Sequence, residues 1–246
     1  MPELSIVMPC YIKNEELLQL TRNALHSLVS LEMSDFEVII VDDDSPLGGG
    51  VLRDSCSTYI KHHKNQGFVR SVNDGINLAR GKFIAVANND IRVAPNYWEV
   101  ASEILYKNED VFSVHPRMCF YDEPLVYGDK TFMTGRERWC QSSLFIIRND
   151  GVFNFPETFK GTGGGYEDWF AWSYIRKLGY KTAYTTKTCF QHKDSSTTQI
   201  VGEKSKHHKE NRELFKRVFD DYPEEYYARL YPEQMQMDWR GTFTEL

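Results

Sequence analysis

The sequence predicts an α/β fold in which helices flank a mostly parallel central sheet. Runs rich in β-branched residues, such as residues 36–41, alternate in the first hundred residues with segments that carry apolar residues at helical spacing. Polar residues also follow directly after several of these runs. Alternating strands and helices pair their strands in parallel through right-handed crossovers. Ligands of such sheets bind beyond the carboxyl ends of the strands.

The predicted elements are regular in the first half of the chain and less regular in the second. Strands are expected at residues 4–8, 36–41, 83–87, 110–118, 142–147 and 182–191, with one more short strand before Asn65. Helices are expected at residues 15–31, 51–59, 71–79, 169–178 and 209–219. Pro9 is expected to stop the first strand, and Gly81 to end the third helix.

Composition restricts the class of protein. The 246 residues are 41% hydrophobic and 14% aromatic and carry a net charge of −6. These values predict an ordered globular chain without overall attraction to nucleic acid or anionic lipid. Five widely spaced cysteines without a C-x-x-C pair argue against a zinc cage or a disulfide framework.

One domain with an appendage is the simplest organisation of the chain. The domain covers residues 1–200, with halves at 1–95 and 96–200, and a helical extension covers 201–246. No apolar run approaches the roughly 20 residues that span a bilayer, and no signal pattern opens the sequence. The expected location is therefore the cytoplasm, with peripheral attachment at the inner face of a membrane as an option.

The segment Asn88-Asn89-Asp90 is the first candidate for a ligand site, because it places a carboxylate at the end of a predicted buried strand. Tyr11 and Asp42 also follow predicted strand ends, so the three positions are expected to converge. His62 and His63 have no carboxylate at ligand spacing and are expected on the surface.

Eight motifs in the same order resemble those of family 2 glycosyltransferases of the GT-A fold, and the resemblance covers about residues 3–200. The motifs are Met8-Pro9-Cys10-Tyr11 with Glu15, Val41-Asp42-Asp43-Asp44-Ser45, Asn65-Gln66-Gly67 with Asn73 and Gly75, Ala79-Arg80-Gly81-Lys82-Phe83-Ile84, Asn88-Asn89-Asp90, Tyr166-Glu167-Asp168-Trp169, Arg176-Lys177-Leu178-Gly179-Tyr180, and Gln191-His192. The resemblance implies a GT-A domain that binds a UDP- or dTDP-sugar. It also implies that residues 1–95 are the nucleotide-binding half and residues 96–200 the acceptor or catalytic half.

The resemblance also implies which residues bind the donor nucleotide. They are Pro9, Tyr11, Glu15, Asp42, Asn65, Gly67, Arg70, Asn73, Asn88 and Asn89. Asp42 would accept a hydrogen bond from the ring N–H of uracil or thymine, because a carboxylate offers only acceptors. Gly67 would allow close approach of the backbone, and Arg70 would neutralise diphosphate charge. The alternatives are a helix cap for Asp42 and a solvated surface charge for Arg70.

A divalent metal site is implied at Asn88-Asn89-Asp90, which stands at the position of the family's D-x-D motif and resembles an N-N-D variant of rhamnosyltransferase-like members. Mn²⁺ or Mg²⁺ would bind to Asp90 and offset charge on the leaving nucleoside diphosphate. Because Asp90 is the only anion of this segment, a second ligand is needed, and His192 is the expected one. A structural histidine is the alternative.

Catalysis is assigned by the resemblance to Asp168, as the general base that deprotonates the acceptor, with Glu167 positioning the acceptor or the base. The glycine-rich residues 161–165 predict a loop that orders over bound sugar. Trp139, Trp169 and Trp172 are candidates for an acceptor wall, with Trp169 the best placed, since sugar faces pack on indole rings. Helix capping by the acids and core packing of the tryptophans are the alternatives.

The sequence therefore predicts a metal-dependent, inverting glycosyltransferase whose acceptor is a glycan, a lipid-linked glycan or a modified DNA base. Two other functions stay open. A nucleotidyltransferase that makes nucleotide sugars is disfavoured, because residues 9–13 lack a glycine-rich basic loop. A non-catalytic module that binds nucleotide sugars or glycans is disfavoured by the presence of both Asp90 and Asp168.

Overall fold

The core of the fold is one mixed β-sheet. The computed structural model of the protein describes residues 1–31, 33–134, 142–151, 153–155, 157, 167–168, 171–172, 175, 178–193, 210–211 and 213. The strands in this part of the chain are β1 (Leu4–Cys10), β2 (Phe36–Asp42), β3 (Thr58–Lys61), β4 (Phe83–Ala87), β5 (Ile91–Val93), β6 (Val111–Phe120), β7 (Thr131–Thr134), β8 (Leu144–Arg148) and β9 (Lys181–His192). The helices with defined bounds are α1 (Glu15–Val29), α2 (Gly49–Asp54), α3 (Phe68–Leu78) and α4 (Tyr97–Lys107).

The strand order explains why the sequence signals are clearer in the first half. The order is β3-β2-β1-β4-β8-β6-β9-β5, and β7 pairs with β9. β1 to β4 are parallel, and β6 and β9 run in the same direction, whereas β8, β5 and β7 run in the opposite one. The predicted α/β fold with a mostly parallel sheet is confirmed.

Both faces of the sheet are covered by apolar side chains. In β1, Ile6 and Met8 face a cluster that includes residues of α1, α2 and α4. Val7, between them, faces a second cluster with α3 and Trp172. Alternate residues of a strand point to opposite faces, so a strand that is buried on both faces is apolar throughout.

Several boundaries differ from the predicted ones by a few residues, and two of the differences have a clear structural reason. β1 continues through Pro9 to Cys10, beyond Val7, the last β1 residue that pairs with β4, so only the β2 side is paired there. The helix predicted at 51–59 is α2 followed by β3, because residues 58–61 pair with β2 instead of extending the helix. β3 is the short strand expected before Asn65.

Three elements were not predicted, namely α4, β5 and β7. In α4 the buried residues Tyr97, Ala101, Ile104 and Leu105 do have helical spacing. β5 and β7 are three and four residues long, and both are held by β9. Strands this short carry little periodicity of their own.

Most of the two C-terminal helices predicted at 169–178 and 209–219 lies outside the described residues. Glu167, Asp168, Ala171, Trp172 and Ile175 are helical, as are Glu210, Asn211 and Glu213. Within the described part of the chain, no helix has both the length and the apolar character needed to cross a membrane. The division into 1–95, 96–200 and 201–246 stays a prediction.

Glu37 is a buried acid that ties three segments together at the amino ends of the parallel strands. Its Oε1 accepts hydrogen bonds from Ser5 Oγ at 2.7 Å and Arg80 N at 2.8 Å, and Oε2 accepts one from Arg80 Nε at 3.0 Å. Burial by itself raises the pKa of Glu37, but the hydrogen bonds from Arg80 and Ser5 lower it overall. Gly81 N donates to the same Ser5 hydroxyl at 2.8 Å.

Gly81→Ala should destabilise the fold, because an added Cβ would lie 2.5 Å from Ser5 N and 2.7 Å from Leu4 C. Both contacts are backbone atoms of β1 that cannot move aside alone. We expect a loss of about 2 kcal/mol in the free energy of unfolding, measured by urea denaturation. The matched control is Gly50→Ala in α2, where an added Cβ meets nothing within 4 Å. Equal stability of the two variants would contradict this packing argument.

Candidate functional site

Polar residues converge at one edge of the sheet, where the parallel strands end. β1, β2 and β3 end in register, and β4 and β9 run in the same direction. The residues that follow or complete these strands are Tyr11, Asp43, His62, Asn88 and His192. The topology therefore brings residues that are far apart in the sequence to a common edge.

Asp90 and His192 lie side by side at this edge. The distance from Asp90 Oδ1 to His192 Nε2 is 3.2 Å, and both side chains are buried, with 6% and 8% exposed. Asp90 and His192 are close together because β5 pairs antiparallel with β9, which places Ile91, the residue after Asp90, opposite His192. His192 Nδ1 lies 3.4 Å from Ser143 Oγ, a contact that orients the ring. Sequence reasoning missed Ser143.

The two amides before Asp90 have different surroundings. Asn88 Oδ1 is buried and has no hydrogen-bond partner among the described residues. A buried acceptor without a donor is unfavourable unless water, a ligand or an ion satisfies it. Asn89 instead turns to α1, where its Nδ2 donates to Thr21 Oγ1 at 2.9 Å.

These donor atoms fit a divalent cation. Hard cations accept carboxylate and amide oxygens, and an imidazole nitrogen adds a third protein ligand. Asn88 Oδ1, Asp90 and His192 Nε2 are therefore the candidate set. The described residues contain no group of three or more His, Cys, Asp or Glu side chains at metal-binding distance, so an amide would have to complete the set.

Asp42 is the centre of the turn that follows β2. The side chain is fully buried, its Oδ1 accepts a hydrogen bond from Ser45 N at 2.8 Å, and its Oδ2 accepts one from Tyr59 OH at 2.5 Å. Lys61 Nζ lies 3.5 Å from Oδ2. Because this carboxylate is fully buried, a nucleobase could contact Asp42 only if neighbouring side chains moved aside, and the role of Asp42 at the base stays a prediction.

Asp43 shapes the loop that precedes α3. Its Oδ1 accepts a hydrogen bond from Gln66 N at 2.7 Å, and its Oδ2 accepts one from Gly67 N at 2.8 Å. Gly67 has φ 89°, a conformation that favours glycine. Asn65 Nδ2 donates to the backbone carbonyl of Asp43 at 3.3 Å. Asn65 and Gly67 are two of the residues predicted to bind the nucleotide sugar. Asp43 holds both of them in place, although the sequence analysis assigned Asp43 no role.

The surface position expected for His62 is wrong. Its side chain is only 10% exposed and contacts Asp43 and Asp74, whereas His63 is exposed. Neither carboxylate is at a helical or strand spacing from His62, so no local pattern reveals these contacts.

Arg70 and Asn73, on α3, both contact the segment at residues 153–157. Arg70 Nη1 lies 3.0 Å from Glu157 Oε1, and Arg70 Nε donates to Asp74 at 3.0 Å. The amide of Asn73 exchanges two hydrogen bonds with the backbone of Phe155, at 2.7 and 2.8 Å. Asn73 is therefore a buried clamp for this segment. The predicted contacts of Arg70 and Asn73 with the donor stay predictions.

The first motif predicted to bind the nucleotide sugar lies around the end of β1. Pro9 is buried inside the strand, and Tyr11 is half-buried with Lys13 Nζ 5.2 Å from the centre of its ring. Glu15 is exposed in the first turn of α1, whose N-cap Asn14 accepts a hydrogen bond from Leu17 N at 2.8 Å.

Glu167 and Asp168 are adjacent helical residues. Glu167 is 7% exposed, and burial together with the nearby charge of Asp168 raises its pKa to about 8. Trp172, in the same helical segment, is fully buried and its ring is stacked 5.7 Å from that of Phe153. Core packing, and not an acceptor wall, is thus the role of Trp172. Trp139, Trp169 and residues 161–165 lie outside the described residues.

Comparison with known proteins gives its clearest match over residues 5–177. Residues 5–177 match the family model described as Glycosyl transferase family 2. An uncharacterized glycosyltransferase of Haemophilus influenzae is 33% identical over 120 residues, which are 47% of this chain and 39% of that protein. The chain spans less than half the length of the curated relatives it matches.

Solved structures share the fold. S. aureus TarS 1–349 has a TM-score of 0.62 at 16% identity, over 81% of this chain and 63% of that one, and was also solved with UDP-GlcNAc. GalNAc-T7, solved with UDP, GalNAc and Mn²⁺, has a TM-score of 0.63 at 12% identity, over 78% of this chain and 44% of that one. At these identities the likeness concerns the fold alone, and the expected GT-A fold is confirmed.

Glu167 should make stability depend on pH. Its raised pKa means that the folded protein keeps a proton that the unfolded chain releases above a pH of about 4.3. The free energy of unfolding should therefore fall as pH rises from about 5 to about 8, by at most about 1.4 kcal/mol per pH unit. Glu167→Gln should flatten this fall in urea titrations at each pH, and Glu16→Gln, at an exposed site, should not. The same slope in wild type and Glu167→Gln would contradict a buried, protonated Glu167.

Proposed function

The chain belongs to glycosyl transferase family 2, and on that premise we propose that it transfers a sugar from a UDP- or dTDP-sugar to an acceptor hydroxyl. The proposed reaction inverts the configuration at the sugar carbon and uses a divalent cation. The observation that carries the proposal is the contact between Asp90 and His192. The segment Asn88-Asn89-Asp90 has one carboxylate, and His192, at the end of β9, supplies a second side chain that can bind a metal ion. Both lie at the edge of the sheet where α/β folds bind small molecules.

The cation site of the proposal consists of Asn88 Oδ1, Asp90 and His192. Asn88 Oδ1 has no hydrogen-bond partner among the described residues, which supports its use as a ligand of the cation. Mn²⁺ or Mg²⁺ is the proposed ion, and GalNAc-T7, a neighbour in fold, was solved with Mn²⁺. When bound, such an ion offsets the negative charge of a leaving nucleoside diphosphate.

The donor nucleotide is proposed to lie along the ends of β1, β2 and β4. Tyr11, the acids after β2 and the Asn65–Gly67 loop border this edge. Asp42 remains the proposed acceptor for the ring N–H of the base, provided that the base displaces Tyr59 or Lys61 from its Oδ2. UDP and UDP-GlcNAc bound to TarS 1–349 support a uridine nucleotide as the first donor to try.

Asp168 is the proposed general base. It would take the proton of the acceptor hydroxyl while the acceptor oxygen forms a bond to the sugar carbon and the bond to the diphosphate breaks on the opposite side. The raised pKa of Glu167 supports this division of roles, because a neutral Glu167 leaves Asp168 as the anion of the pair. Neutral Glu167 can also donate a hydrogen bond.

The acceptor classes stay predictions. A glycan, a lipid-linked glycan and a modified DNA base each remain in the proposal, because residues 161–165, Trp139 and Trp169, expected to meet the acceptor, lie outside the described residues. The cytoplasmic location also stays a prediction.

Asp90→Asn and His192→Gln should each lower metal-dependent turnover. We expect release of UDP or dTDP from the nucleotide sugar to fall at least about a hundredfold at limiting Mn²⁺, with half-saturation shifted to higher Mn²⁺. Asp44→Asn is the matched control, because Asp44 is an exposed acid beside the same edge. Turnover that is equally fast in the presence of a chelator would contradict a metal-dependent enzyme.

Asp168→Asn should separate binding from chemistry. Loss of a general base lowers transfer about 10²- to 10⁴-fold, whereas the dissociation constant for UDP, measured by calorimetry, should change less than about twofold. Asp54→Asn, at an exposed position, is the control. If Asp168 only caps the helix, its variant will lose stability but keep transfer in proportion to the folded fraction.

A further inference from the structure

His62 is a largely buried histidine that lies between two carboxylates. It follows β3 directly, and its backbone N–H donates to Asp42 O at 2.9 Å. Its Nδ1 lies 2.7 Å from Asp43 Oδ1, and its Nε2 lies 3.0 Å from Asp74 Oδ2. Ionised carboxylates only accept hydrogen bonds, so both contacts are hydrogen bonds only when both ring nitrogens carry hydrogen. The geometry therefore favours the imidazolium cation.

Charges of alternating sign surround this ring. On α3, Arg70 Nε donates to Asp74 Oδ2 at 3.0 Å, and the same guanidinium reaches Glu157. At the ends of β2 and β3, Lys61 Nζ lies 3.5 Å from buried Asp42. Asp43 has its own two backbone donors but no cation other than His62 at contact distance among the described residues. A neutral ring would turn a lone pair towards Asp43 or Asp74.

The position of Asp43 decides the shape of the following loop. The carboxylate holds the backbone N–H groups of Gln66 and Gly67, and Asn65 holds the carbonyl of Asp43. This loop opens α3 at the edge where the proposed donor lies. Movement of the Asp43 side chain would release two loop hydrogen bonds together.

We propose that His62, as a cation, is a positioning residue for the nucleoside diphosphate part of the donor. It keeps Asp43 and the Asn65–Gly67 loop in the arrangement that binds the nucleotide, through its two ring N–H groups. The inference rests on the proposed function. Its signature is donor affinity that depends on these two N–H groups, seen in KM and not in kcat.

The test measures UDP binding to the full chain by calorimetry at pH 6. His62→Gln, which cannot supply two charged donors, should bind UDP about tenfold more weakly than the wild type. His62→Arg, whose guanidinium donates to several acceptors and keeps its charge, should retain most of the wild-type affinity. His63→Gln is the matched control, because His63 is exposed.

Comparison between variants removes the ionisation of UDP itself, which affects every protein equally. Steady-state kinetics of His62→Gln should show the increase in donor KM with kcat unchanged. Nitrogen-detected magnetic resonance of the wild type near pH 6 should show two protonated ring nitrogens for His62. This spectrum and His62→Arg decide the question if His62→Gln does not fold.

Two results would overturn the inference while the proposed function stands. One is UDP affinity of folded His62→Gln that equals that of the wild type, and the other is a single protonated ring nitrogen near pH 6. A wild-type protein that binds neither UDP nor dTDP would instead contradict the proposed function, and this inference with it.

Discussion

Parallel hydrogen bonding of β1 to both β2 and β4 is the constraint on which the candidate site depends. The pairing sets the levels at which the three strands end, and the polar segments after β2 and β4 start from those ends. Apolar layers cover both faces of β1, so the strand cannot slide by one residue without exposing core side chains. The centre of the sheet therefore fixes where the loops that carry the site residues begin.

Local sequence patterns were sufficient for much of the first half of the fold. The strands at residues 36–41 and 83–87 and the helix at 15–31 were predicted to within two residues, because each has its own apolar periodicity. The boundary between α2 and β3 was missed, since a short run after α2 does not reveal whether it continues a helix or pairs with β2. The mixed second half depends on β9, which pairs with three other strands, and such long-range pairing leaves no local trace.

The candidate site was predictable where a motif names a residue and not where tertiary structure decides its environment. Three consecutive acids show this difference. Asp42 is a fully buried acceptor, Asp43 holds a loop, and Asp44 is exposed with φ 68°. Their sequence is uniform, but strand ends and neighbouring loops give each a separate role. The partners of His62 are likewise 19 and 12 residues away, and they meet it because β3 pairs with β2 and α3 packs against β2.

The hydrogen-bonded pair between Asn73 and Phe155 has a consequence for protein engineering. A recombination point at residue 95 divides the chain into two parts. The hydrogen bonds between Asn73 and Phe155 nevertheless hold residues 153–155 against α3, which belongs to the first part. A chimaera that takes residues 1–95 from a relative without an asparagine at position 73 would leave the backbone N–H and carbonyl of Phe155 without these hydrogen bonds. Residues 153–157 should therefore be exchanged together with residues 1–95, because the two segments are far apart in the sequence but hydrogen-bonded to each other in the folded protein.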